Sequence, residues 1–111
     1  MSDPESPTSA RYPEMAYMLG YFHGNWIDDP RYIDDGEPDQ DRVIGRFLAI
    51  EHPATIVAAR NELRAYLQDE HSEAELKQML SDIYASIRPA AFGMTVRQWL
   101  EHVRDLLVEN A

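Results

Sequence analysis

The sequence predicts an all-α protein, a compact single-domain bundle of about five short helices. Apolar residues recur at the i, i+3, i+4 and i+7 spacing of a helix face in successive segments. Two of these segments open with the Ser/Thr and Glu/Gln pair of a capping box. No window alternates apolar and polar residues with the period of two that a strand requires. A length of 111 residues fits one domain.

The first helix is predicted to begin at Pro13, because proline suits the first helical turn, where its missing N–H would be unpaired anyway. Before it, residues 1–12 are rich in proline and serine and are expected to form a flexible tail to a helical domain of residues 13–109. Gly24 is the predicted helix stop. Residues 27–38 hold Asp-Pro, Asp-Gly and Glu-Pro pairs, which predict a loop. The apolar face of this helix is Met15, Met18, Leu19 and Phe22.

Two further helices are predicted in close succession, at residues 39–51 and 53–68. His52 separates them, since a residue that precedes a proline is displaced from the helical region. With almost no linker, the chain must kink or fold back sharply there. Their apolar positions are Val43, Ile44, Phe47 and Leu48 in the first, and Ile56, Ala59, Leu63, Tyr66 and Leu67 in the second.

The last two helices carry the capping boxes. Ser72 with Glu75 and Thr95 with Gln98 each predict a helix start whose side chains satisfy two orphan amide donors. Trp99 lies on the apolar face of the last helix and is predicted to be core. The apolar positions are Leu76, Met79, Leu80 and Ile83, then Val96, Trp99, Leu100, Val103, Leu106 and Leu107.

Charge is the most informative bulk property, because the net charge is −10 and much of it is concentrated in one segment. Residues 28–41 hold seven acids and a single arginine. Direct nucleic-acid binding is disfavoured, since phosphate contact requires clustered Lys and Arg. The charge favours a basic protein partner, and the alternative is that the acids only keep a small domain soluble. The candidate partner-binding acids are Asp28, Asp29, Asp34, Asp35, Glu37, Asp39 and Asp41.

Composition excludes several kinds of site and indicates where the protein is located. The chain has no cysteine, which excludes disulfides, thiolate zinc sites and cysteine nucleophiles. No apolar run approaches the ~20 residues of a membrane span. The N-terminal string "MSDPESPTSA" lacks the features of a secretory signal. We therefore expect a cytoplasmic protein that does not engage a membrane.

Catalytic motifs are not recognisable in the sequence. The four histidines form no H-E-x-x-H motif and no pair at i, i+4. His23 beside Asp28 and Asp29 is the best candidate metal cluster, and it would make the protein a metal-dependent hydrolase. The preferred interpretation is a histidine near a helix end, where it interacts with the dipole. We expect no catalytic residue, no bound metal and no cofactor.

Two aromatic residues near the acids are candidate interface anchors. Trp26 either folds back onto the first helix or is exposed to a partner, and the sequence leaves this open. Tyr32 is a candidate for the same role, because Tyr and Trp are over-represented at interfaces.

The string "MLGYFHGNW", the helix "RVIGRFLAIEHP" and the closing "GMTVRQWLEHVRDLL" occur in this order. Together they resemble the immunity proteins of bacterial contact-dependent growth inhibition systems, over about residues 13–108. The matching positions are Leu19, Gly20, Tyr21, Phe22, His23, Trp26, Phe47, Leu48, Thr95, Arg97, Trp99 and Leu100. Asn25 departs from an aspartate expected in the family pattern, and the loop 27–38 does not align with it.

The resemblance implies a cytoplasmic, non-enzymatic protein that binds the toxic C-terminal domain delivered by a neighbouring cell. Such toxins are diverse, and many are nucleases. The resemblance transfers no toxin-contacting residues, so the candidate residues above come from this sequence alone. The alternative is an acidic helical adaptor, or a homodimeric module, that binds another basic protein.

Overall fold

The computed structural model describes residues 11–110, with side chains described for residues 11–109. Residues 1–10 of the predicted tail therefore lie outside the described part. Within it the chain forms five α-helices, and the all-α prediction is confirmed. They are α1 (Pro13–Leu19), α2 (Gln40–Ile50), α3 (Pro53–Gln68), α4 (Glu73–Asp82) and α5 (Val96–Asn110).

One hydrophobic core is built from the predicted helix faces. Helix α5 packs against α2, α3 and α4, while α1 packs against α3. Trp99 is fully buried, as predicted, and its ring meets that of Phe22 edge to face with centroids 5.1 Å apart. Leu48 and Leu106 are only half-buried, and the other predicted apolar positions are buried.

Both predicted capping boxes are present. Ser72 Oγ accepts from the Glu75 amide at 3.1 Å, and the Glu75 carboxylate accepts from the Ser72 amide at 2.8 Å. Thr95 and Gln98 make the same reciprocal pair, at 3.1 and 2.9 Å. These local hydrogen bonds explain why the starts of α4 and α5 are readable from the sequence.

Carboxylates from distant helices also cap the starts of α1 and α5. Glu62 of α3 accepts from the backbone amides of Glu14 and Met15, at 2.9 and 3.0 Å, at the start of α1. Glu73 of α4 accepts from the amide of Val96, at 2.6 Å, at the start of α5. Each carboxylate accepts from otherwise unpaired amides and interacts favourably with the positive end of the helix dipole.

The helical winding breaks between α2 and α3 at Glu51 and His52, which are both extended. His52 is extended, with φ −63° and ψ 142°, and its ring Nδ1 accepts from the amide of Ala54 at 3.1 Å. The histidine before Pro53 therefore acts as the N-cap of α3.

The end of α1 differs from the prediction. The helix ends at Leu19 and is capped by Gly20, so Gly24 is not its stop and does not adopt a positive φ. After Leu19 the hydrogen bonds change to three-residue spacing, as in the bond from the Tyr21 amide to the Met18 carbonyl at 3.1 Å. This tighter winding is common at helix ends.

The acidic segment folds into short turns and a small hairpin. Two 3₁₀ turns, Trp26–Asp28 and Pro30–Tyr32, lead into strand β1 (Ile33–Asp34), which pairs antiparallel with β2 (Glu37–Pro38). Asp35 and Gly36 have φ of 53° and 82°, as a two-residue hairpin turn requires. The predicted turn chemistry is correct, but strands of two residues are too short to show alternation in the sequence.

Candidate partner-binding surface

The two aromatic anchor candidates are buried. Trp26 is 1% exposed and Tyr32 is 3% exposed. The Trp26 indole meets Phe22 edge to face at 5.3 Å and donates from Nε1 to the Ser86 carbonyl at 2.5 Å. The interpretation of these rings as exposed anchors is therefore wrong, because an anchor must present its ring to the partner. They hold the acidic segment against the core instead.

The seven candidate acids form the surface that we call the acidic face. Asp29 and Asp39 are half-buried and the other five are exposed. The half-buried pair also shapes the backbone. Asp29 accepts from the Arg31 amide at 2.9 Å, and Asp39 caps α2 by accepting from the Asp41 amide at 3.0 Å. The acidic face consists of Asp28, Asp29, Asp34, Asp35, Glu37, Asp39 and Asp41.

Internal ion pairs engage some of these carboxylates. Asp29 binds Arg31 at 2.6 Å, and this hydrogen bonding lowers the Asp29 pKa to about 2. Arg42 lies 3.1 Å from Asp34 and 3.8 Å from Asp39.

A histidine of α5 also reaches the acidic face, where His102 Nε2 lies 2.8 Å from Asp41. Asp28, Asp35 and Glu37 have no ion pair with any residue of the described chain. Their charge is the part of the acidic face most available to a partner.

Part of the acidic face borders a depression of about 400 Å³, which we call the acidic depression. Four of the acids line it, namely Asp34, Glu37, Asp39 and Asp41. Its other sides include Gln40, Phe92, Met94 and His102. The hairpin and the start of α2 thus meet the loop before α5 and the first half of α5.

Sequence reasoning missed the non-acidic lining of this depression. Asp41 and His102 are 61 residues apart, and no spacing rule connects them. Phe92 and Met94 lie outside the helical faces, and Gln40 is a single polar residue at a helix start. No sequence signal marked any of the four as part of a site.

The arrangement is suited to holding cationic groups. Exposed carboxylates beside half-buried apolar side chains can accept hydrogen bonds while packing against an aliphatic stem. His23 is exposed on the turn before Trp26. Among residues 11–110, no group of three or more His, Asp or Glu is placed to hold a metal ion. No helix in that range is long and apolar enough to cross a membrane.

A small helical domain with a concentrated acidic face and a mixed polar and apolar depression has the form of a protein-binding module. The family model for the CdiI immunity protein matches residues 11–107, so the chain belongs to this family and is an immunity protein of contact-dependent growth inhibition. The family is generally non-enzymatic. No curated protein and no solved structure matches the chain.

Proposed function

We propose that this protein acts in the cytoplasm by binding and neutralising the C-terminal toxin domain of its growth inhibition system. Membership of the CdiI immunity family supports the role. The observation that carries the mode of binding is the concentration of seven acids between residues 28 and 41, five of them exposed. The partner surface complementary to it is basic.

A nuclease domain is the toxin class that best fits this surface. Such a domain must attract phosphates, so its substrate groove is rich in Lys and Arg. The acidic face can compete for that groove as a polyanion. Complementary charge also steers encounter, with association up to ~10⁸–10⁹ M⁻¹s⁻¹ at low salt against ~10⁵–10⁶ M⁻¹s⁻¹ for neutral pairs.

Trp26 and Tyr32 support this surface from beneath. Both are buried, and the backbone carbonyl of Tyr32 accepts from the Asp39 amide at 2.6 Å. The hairpin is thereby tied to the start of α2. A pre-organised acidic face loses less conformational entropy on binding than a mobile loop would.

Co-purification with the toxin domain encoded by the adjacent gene tests the proposal. We expect a stable complex that abolishes the toxic activity of the domain in a purified assay. The complex should weaken as ionic strength rises, since rim charges are screened. If both proteins are folded and the toxin domain neither binds nor loses activity, toxin neutralisation is wrong, and the acidic adaptor or homodimer remains.

A further inference from the structure

We infer that the acidic depression receives one arginine side chain of the bound toxin domain. The inference rests on the proposed function, because it concerns how the partner is held after encounter. It separates two roles within the acidic face. All exposed acids of the acidic face attract the partner, while those of the depression also hold it.

Gln40 is the observation that points to a ligand. It is 7% exposed and is the buried polar residue of the described chain. No hydrogen bond joins its side-chain amide to any described residue. In contrast to Arg60 Nε and Trp99 Nε1, its amide atoms are not sealed from solvent, so they are open to a ligand. Gln40 lines the depression, so a group that enters there can supply the missing bond.

The charge of the depression selects a cation. Of its four carboxylates, Asp34 and Asp39 pair with Arg42, and Asp41 pairs with His102. Glu37 has no ion pair within the described residues. The depression therefore stays negative, even with its internal pairs formed.

Shape and chemistry favour arginine over lysine. A guanidinium presents five N–H donors in one plane, enough to reach the Gln40 carbonyl and more than one carboxylate together. Its face can stack on an aromatic ring, and Phe92 is half-buried in the wall beside Met94. A lysine ammonium is a compact point charge with three donors and lacks this planar fork. The volume of about 400 Å³ lies near the lower end of the about 300–1,000 Å³ that is usual for ligand pockets, which suits a single side chain.

The experiment measures dissociation of the toxin domain from the full-length protein and its variants. Gln40→Leu replaces the amide by an apolar side chain of similar size, which suits a buried position. Glu37→Gln removes an exposed charge without threatening folding. Glu70→Gln is the matched control, since Glu70 is an exposed carboxylate outside the acidic face. Thermal unfolding confirms that each variant is folded.

We expect Gln40→Leu and Glu37→Gln to speed dissociation by about tenfold or more, as truncation of a hydrogen-bonded charge pair at an interface does. Glu70→Gln should leave dissociation unchanged. Replacing each exposed arginine of the toxin domain by lysine in turn should identify one position with a comparable loss. That loss should largely disappear when Glu37→Gln is already present, because the two groups are coupled.

The outcomes separate this inference from the proposed function. If the unaltered protein does not bind the toxin domain, the proposed function fails. If binding is tight but Gln40→Leu and Glu37→Gln dissociate normally, only the arginine pocket is overturned. It is equally overturned if no toxin arginine couples to Glu37.

Discussion

The indole Nε1 of Trp26 donates a 2.5 Å hydrogen bond to the carbonyl oxygen of Ser86, 60 residues further along the chain. The Ser86 amide in turn donates to the Phe22 carbonyl at 2.5 Å. The Trp26 ring also lies 6.4 Å from that of Phe92, which lines the acidic depression. Trp26 therefore connects the turn at the start of the acidic face to the loop that forms the opposite wall of the acidic depression.

Trp26→Phe is expected to lower the free energy of unfolding by about 2 kcal/mol, through the lost hydrogen bond and the smaller ring. Trp99→Phe is the matched control, because Trp99 is also fully buried but its Nε1 has no partner in the described chain. Trp99→Phe should lower the free energy of unfolding by about 1 kcal/mol less than Trp26→Phe does. Urea denaturation of both variants gives the comparison. Equal losses would show that the bond to Ser86 contributes nothing.

Tyr84→Gly is expected to stabilise the protein by about 0.5–1 kcal/mol, since a left-handed residue other than glycine is strained. Tyr84 has φ of 60° and is 83% exposed, so its ring contributes little packing to offset the strain. It closes α4 in a Schellman motif, in which the Ala85 amide donates to the Leu80 carbonyl at 2.9 Å.

Ala85→Gly is the control for Tyr84→Gly. Ala85 has no positive φ, so glycine there should destabilise by about 0.5–1 kcal/mol through backbone entropy. Thermal unfolding at a fixed heating rate ranks the two variants against the unaltered protein. A loss of stability in Tyr84→Gly would contradict the strain at this position.

Glu51 should make stability depend on pH in the acid range. Hydrogen bonds from the hydroxyls of Tyr21 and Tyr17 lower the Glu51 pKa below its ordinary value of 4.5. A carboxylate whose folded pKa is depressed contributes stability above its unfolded pKa and loses it as pH falls through the folded pKa. The advantage of the unaltered protein over Glu51→Gln should therefore shrink as pH falls below 4.5.

Urea denaturation at several pH values measures this advantage. Glu109→Gln is a suitable control, because the Glu109 carboxylate is exposed and no hydrogen bond to it is found among the described residues. The control should show no such change with pH. A constant difference between the unaltered protein and Glu51→Gln from neutral pH to pH 3 would rule out the role of the two tyrosines.

The unpaired acids of the acidic face should control the rate of association. Neutralising Asp28, Asp35 and Glu37 together should slow association with the toxin domain by about tenfold at low salt and flatten its salt dependence. Asparagine is used at position 35 because it tolerates the left-handed φ of 53° that Asp35 adopts.

The control for this triple variant removes the same charge elsewhere. Asp69→Asn, Glu70→Gln and Glu109→Gln change three exposed acids outside the acidic face. Stopped-flow association at several ionic strengths compares the two triples. If both slow association equally, net charge rather than the acidic face is responsible for steering.

Sequence reasoning reached the parts of the molecule that local interactions decide. Helix α3 was predicted at its observed bounds, because a proline start and one apolar face are properties of a single segment. The capping boxes at Ser72 and Thr95 depend on residues three apart, so the sequence displays them directly. The acids between residues 28 and 41 are mostly exposed for a similar reason, since turn chemistry keeps such a segment at the surface.

Tertiary structure decided the features that depend on distant partners. The buried Trp26 donates to the distant carbonyl of Ser86, and the start of α1 is capped by Glu62 of α3. The acidic depression exists only because Phe92, Met94 and His102 fold beside the hairpin. Helical periodicity shows which face of a segment is apolar, but it does not show which other segment will cover that face. The sequence by itself therefore determined the helices and the charge, while packing alone decided which acids share a pocket and which aromatic rings stay inside.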